Sequence, residues 1–157
     1  MSATITATIA PQRYSYLTVV RASAAYDLVV TAGFATPWTF ALVHAALNGL
    51  SGALGLGAFP ELDLMQVLYA NLMGSVVVVW SLLRLLRPER VHGLFDAAAR
   101  VLFSAWMANA LAHGGPDLLW GFLVVEVSWG VVQTAPWLRR LRTRSRAGAR
   151  AGVTAAR

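Results

Sequence analysis

A chain of 157 residues that is 57% hydrophobic and 13% charged, with a mean hydropathy of +0.58, is too apolar for a soluble domain of this size. The absence of Cys and Lys excludes disulfides, thiolate metal centres, thiol nucleophiles and lysine Schiff bases, and every cation is an Arg, which stays protonated. The net charge of +6 sits in one place, since seven of the thirteen Arg fall in the last nineteen residues, RRLRTRSRAGARAGVTAAR, and the remainder carries six Arg against seven acids.

In chain order, MSATITATIAPQRYSYLTVV lacks the basic start and compact apolar core of a cleaved signal peptide, so residues 1–14 read as a cytoplasmic N-terminal segment. Apolar sequence then runs from Ala22 to Phe59 with Pro37 inside it. A proline kinks a membrane helix more often than it ends one, which predicts one kinked helix from about Arg21 to His44, with the Gly-rich ALNGLSGALGLGAFP as a loop or interfacial segment after it. Three further runs, Leu62 to Leu83, Leu94 to Ala112 and Leu118 to Leu138, are each long enough to cross about 30 Å of hydrocarbon. Residues 15–138 are therefore expected to form an all-α, integral-membrane four-helix bundle, with 139–157 a disordered cytoplasmic tail.

With the N-terminus inside, Arg13, Arg21, Arg84, Arg87, Arg90 and the tail all lie on the cytoplasmic side, while Glu61, Asp63 and Asp117 lie outside. That asymmetry follows the positive-inside rule and predicts a multi-pass inner-membrane protein with both termini cytoplasmic. An Arg/Ala/Gly tail beside an apolar helix is a topology determinant that meets anionic lipid headgroups, and no nucleic-acid partner is expected.

A repeat organises the charges. Shifting the first helix by 69 positions sets Arg21 on Arg90, Asp27 on Asp96, Phe34 on Phe103 and His44 on His113, so two tandem helix pairs related by a two-fold along the membrane normal are expected. Asp96 and Arg100, at i and i+4, can pair, and Arg21 and Arg90 can snorkel, making Asp27, Asp96 and Arg100 an inner-leaflet charge cluster. Deeper in the bundle, Glu126 needs a partner or a proton. It shares a helix face with Gln133, and Asn71 with Ser75 forms a comparable face on the second helix, so these four are the candidate lining of a polar cavity. The competing reading is that Glu126 is a protonated acid bonded to Asn71 that simply joins two helices.

The outer-face residues His44, His113 and Asp117 could supply a zinc or iron set, but no HxxxH or HExxH spacing supports one, and no cofactor is expected. Nucleotide loops and GxSxG are absent. The stretches YDLVVTAGFATPW, NLMGSVVVVWSLLR and FDAAARVLFSAWM resemble small bacterial inner-membrane proteins of four helices, similar to the DoxX-like group, over roughly residues 14–138. The resemblance implies a compact four-helix bundle and carries over no functional residue. Three functions remain open: non-enzymatic binding of a lipid or small apolar ligand, or an accessory role beside a membrane partner; a dimeric proton-coupled carrier using Glu126; and a metal-dependent membrane enzyme using His44 and His113.

Overall fold

The computed structural model describes the backbone of residues 10–155 and the side chains of 16–139. Among the described residues the chain is all helical. The elements are α1 (Ala10–Thr31), a 3-10 turn (Ala32–Phe34), α2 (Pro37–Leu54), α3 (Leu64–Leu86), α4 (Arg90–Ala112) and α5 (Leu119–Ala155). Of these, Tyr16–Phe34 and Leu64–Leu86 are long and apolar enough to cross a membrane.

The expected kinked first helix is instead two helices. Thr36 is extended and its Oγ1 accepts from the Thr39 amide at 3.2 Å, so it caps a new helix whose first residue is Pro37. Proline at that position loses nothing, because the first amides of a helix have no partner in it. The chain turns sharply there: a Cβ on Gly33 would strike Val43, and the Phe34 and Phe40 rings lie 5.1 Å apart. The Gly-rich stretch, expected as a loop or interfacial segment, is helical as far as Leu54, and Gly55, at φ 67°, stops it in a left-handed cap.

Downstream boundaries have equally local causes. Asp63 opens α3 with a reciprocal box: its Oδ1 accepts from the Gln66 amide at 2.8 Å, and Gln66 Oε1 accepts from the Asp63 amide at 3.0 Å. Pro88 follows the end of α3. Helix α5 runs through Pro136, and the Thr134 hydroxyl donates to the Gly130 carbonyl at 2.8 Å one turn earlier. The segment expected as a disordered tail is continued as helix to Ala155; Arg and Ala are strong helix formers, and no proline follows Pro136. Residues 1–9 of the expected N-terminal segment, and the tail side chains expected to meet headgroups, lie outside what is described.

Helix α1 packs along α3, and α4 along α5; α1 joins the two pairs by touching both α4 and α5. Contact between the 3-10 turn and α3 depends on Gly74, where a Cβ would come within 2.5 Å of the Phe34 carbonyl carbon. Gly93 similarly leaves room on α4 for the Tyr16 hydroxyl. The Asp117 amide donates to the Leu56 carbonyl at 3.0 Å, so the α2–α3 and α4–α5 connections share one end. The α3–α4 turn lies at the other.

The distribution of side chains is inverted relative to a water-soluble bundle. Val29, Leu64, Leu86 and Trp38 are more than three-quarters exposed, whereas Asp96, Arg84, Arg100 and Gln133 are buried. Burial also follows depth: α1 buries Tyr16, Val20, Ser23, Ala24 and Asp27, and α4 buries Gly93, Asp96, Ala97 and Arg100. Beyond Arg100, no later residue of α4 is buried, nor is any residue of α5 before Glu126.

Candidate functional site

Helical spacing aims one short polar set inward from each of four helices. Ser23 and Asp27 stand one turn apart on α1, as do Ser81 and Arg84 on α3 and Asp96 and Arg100 on α4; Glu126 and Gln133 are two turns apart on α5. Their charges meet in a buried centre. Arg84 spans two aspartates, with Nη2 at 2.6 Å from Asp27 Oδ2 and Nη1 at 2.7 Å from Asp96 Oδ1. Arg100 touches three acids: Asp27 at 2.8 Å, Asp96 at 3.3 Å and Glu126 at 2.7 Å. Ser23 lies between the arginines, its Oγ at 3.1 Å from Arg84 Nη1 and 3.0 Å from Arg100 Nη2, and it donates to Asp96 Oδ2 at 2.8 Å. Gln133 Nε2 donates to both Ser23 and Asp96.

Aromatic rings wall the centre. Arg84 lies over the Trp80 ring at 5.5 Å and Arg100 over Trp129 at 5.8 Å, distances at which the ring faces favour a cation. Trp80 Nε1 donates to Asp96 Oδ1 at 3.4 Å, and Tyr26 packs against Trp129. Below the centre, towards the α3–α4 turn, Tyr16 donates to the Gln133 carbonyl, Trp137 donates to the Tyr16 hydroxyl, and Arg90 covers both rings. These contacts close that end.

The charges do not balance. Among the described residues, Asp27, Asp96 and Glu126 oppose Arg84 and Arg100 alone, leaving one carboxylate in excess. The acids are also unequally held. Each aspartate has both arginines, but Glu126 has Arg100 alone, through Oε2. Among the described residues, three fully buried polar atoms lack a partner: Arg84 Nε, Gln133 Oε1 and His92 Nδ1.

The structure thus brings Asp27, Asp96 and Arg100 together, and Glu126 and Gln133 join the same centre. Asn71 and Ser75 do not join it. The Asn71 amide donates to the Phe34 carbonyl at 2.8 Å, satisfying a group left free where the 3-10 turn ends, and Ser75 is exposed on α3 in a shallow groove with Val76, Val79, Trp80 and Leu83. The cavity expected from all four residues is therefore replaced by an ionic centre, and the expected link from Glu126 to Asn71 is made to Arg100. Arg21 is exposed, and the cation that reaches Asp27 from α3 is Arg84, which the sequence places in the cytoplasmic flank. Its signal was the inward face Gly74, Ser81, Arg84, spaced by seven and three.

The outer histidines are each held locally. His44 Nε2 lies 3.0 Å from the Pro60 carbonyl, and His113 Nδ1 lies 2.8 Å from the Asn109 carbonyl. Among the described residues no three His, Cys, Asp or Glu converge on a point, so His44, His113 and Asp117 do not form a ligand set. His92 is half-buried with its ring edge-on to Trp80.

No family model, curated protein or solved structure matches this chain.

Proposed function

We propose that this chain is a small, non-enzymatic integral protein of the inner membrane that binds a lipid or small apolar ligand against α3. In this reading α1, α3, α4 and α5 cross the membrane, with both termini on the cytoplasmic side, and α2 lies at the opposite interface. The carrying observation is the inversion of the bundle: apolar side chains cover its outside and a five-charge centre fills its inside. In water those outward faces would be left exposed, whereas in lipid they need no partner. The groove of Ser75, Val76, Val79, Trp80 and Leu83 opens on this apolar surface, and its Trp80 touches the centre. The DoxX-like resemblance belongs to the same proposal for the bundle. Purification in mild detergent followed by native mass spectrometry tests it. A bound lipid or apolar metabolite that Val79→Trp displaces is expected, and a soluble protein after cell fractionation would end the reading.

A proton-coupled carrier is the second reading, and the excess carboxylate favours it. A buried centre with one unmatched negative charge holds a proton more cheaply than it holds the charge. Glu126 is the group to carry it, because the aspartates are each clamped by two guanidinium groups. It also borders the first two turns of α5, in which no residue is buried. Infrared titration of the carboxylic-acid band in wild type and Glu126→Gln protein tests this. A titrating band that the substitution removes is expected, and a band identical in both proteins would refute it.

A further inference from the structure

The carrier reading needs the centre to exchange its proton with both sides, and the two ends differ. On the side of the α4–α5 connection, Glu126 lies seven residues into α5, roughly 10 Å from its start, and nothing on α4 or α5 above it is buried. On the other side, Tyr16, Gln133, Trp137 and Arg90 close the bundle through hydrogen bonds and ring contacts. A proton arriving from the closed side therefore needs a titratable group set into that wall.

We propose that His92 is that group, the inner-side entrance through which the ionic centre exchanges its proton. Four observations converge on it. It stands two residues into α4, at the end where the α3–α4 turn lies. It is half-buried, so part of the ring meets the surface, while Nδ1 is fully buried without a partner. Asp96 follows one turn later on the same face, where i and i+4 side chains are neighbours. Trp80 ties the two together, its ring 5.4 Å from the imidazole and its Nε1 at 3.4 Å from Asp96 Oδ1. A buried, unmade hydrogen bond is costly to keep, and this one belongs to a residue one turn from an acid.

The transfer balances on the imidazole alone. The ring takes a proton from the inner solution on its other nitrogen and gives up the Nδ1 proton towards Asp96, ending neutral in the opposite tautomer. Asp96 does not retain it, because Arg84 and Arg100 favour its anion, and the added proton comes to rest on Glu126, the acid with a single cation. The charged groups around the path are Arg90, Asp96 and Arg100 on α4, Arg84 across from them on α3, Asp27 on α1, and Glu126 on α5. Return of the ring to its first tautomer readies it for the next proton.

The inference rests on the carrier reading, and one experiment separates the two. Protein is reconstituted in one orientation in vesicles of a phosphatidylethanolamine and phosphatidylglycerol mixture. An acid jump is applied on one face, and the Glu126 carboxylic-acid band is followed in time by infrared spectroscopy. With His92→Ala, a jump on the inner face should reach Glu126 tenfold or more slowly than in wild type, added imidazole should restore the rate, and a jump on the outer face should be unaffected. His92→Gln, which keeps the ring's bulk and polarity without titrating, should be as slow as His92→Ala. Equal inner-face rates in wild type and both variants would overturn the role of His92 while leaving the carrier reading standing. A band that does not titrate in wild type would overturn both.

Discussion

Replacing Arg100 by Met tests the ionic centre most directly, because the contacts say which acid would suffer. Asp27 and Asp96 each keep Arg84, at 2.6 and 2.7 Å, but Glu126 loses its one cation. Removing one partner of a buried pair typically costs about 3–5 kcal/mol, most of it from the charge left behind. Arg100→Met should therefore lower bundle stability by that amount, and the loss should be concentrated at Glu126. Adding Glu126→Gln removes the stranded charge and leaves two aspartates sharing Arg84, so the double variant should recover about 2 kcal/mol relative to Arg100→Met alone. Arg84→Met strands no acid, since Arg100 still reaches all three, and should cost less than Arg100→Met despite the complete burial of Arg84. Reversible unfolding in mixed micelles, arranged as a double-mutant cycle, measures each step. A coupling below about 0.5 kcal/mol between positions 100 and 126, or an Arg84→Met cost above that of Arg100→Met, would refute this account of how the centre is held.

Three further outcomes follow from single contacts. Gly74→Ala should cost about 1–3 kcal/mol in the same unfolding assay, because the added methyl meets the Phe34 backbone, which cannot swing aside as a flexible side chain would. Tyr16→Phe should cost about 1 kcal/mol by leaving Trp137 Nε1 without its acceptor, and Trp137 fluorescence should shift with it. Reporter fusions after Arg13, Arg90 and Arg146 should score cytoplasmic and one near Ala58 periplasmic; a periplasmic signal after Arg146 together with a cytoplasmic one after Arg13 would exclude an even number of crossings.

Much of the helical plan was legible because apolar runs of about 20 residues leave few alternatives to a helix. The first helix was not, because Pro37 can either kink a helix or begin one. What decides is the residue before it: Thr36 supplies a cap, which turns the proline into a first residue. Asp27, Asp96, Arg100 and Glu126 stood out as charges in apolar surroundings, and spacing gave the Asp96–Arg100 pair. Spacing within a helix is silent about what arrives from other helices. For that reason Arg84 read as a flanking cation when it is fully buried between two aspartates. Asn71 failed for the complementary reason, since the Phe34 carbonyl it serves is free only because the 3-10 turn ends there.

The imbalance of the centre carries more information than its burial. A network that only held four helices together could be neutral, or could be replaced by apolar packing at little cost, since buried ion pairs roughly break even with well-packed hydrophobic residues. Retaining three acids against two arginines gives up that economy. The excess falls on Glu126, the acid that can be lost without stranding a cation, because Arg100 keeps both aspartates. It therefore contributes least to holding the bundle and is the freest to change its charge. Glu126→Gln should accordingly leave stability within about 1 kcal/mol of wild type, or raise it, while abolishing the titrating carboxyl band. A loss of 3 kcal/mol or more, on the order of that for breaking a buried pair, would mean that Glu126 is a structural anion and that the centre's extra charge has no separate role.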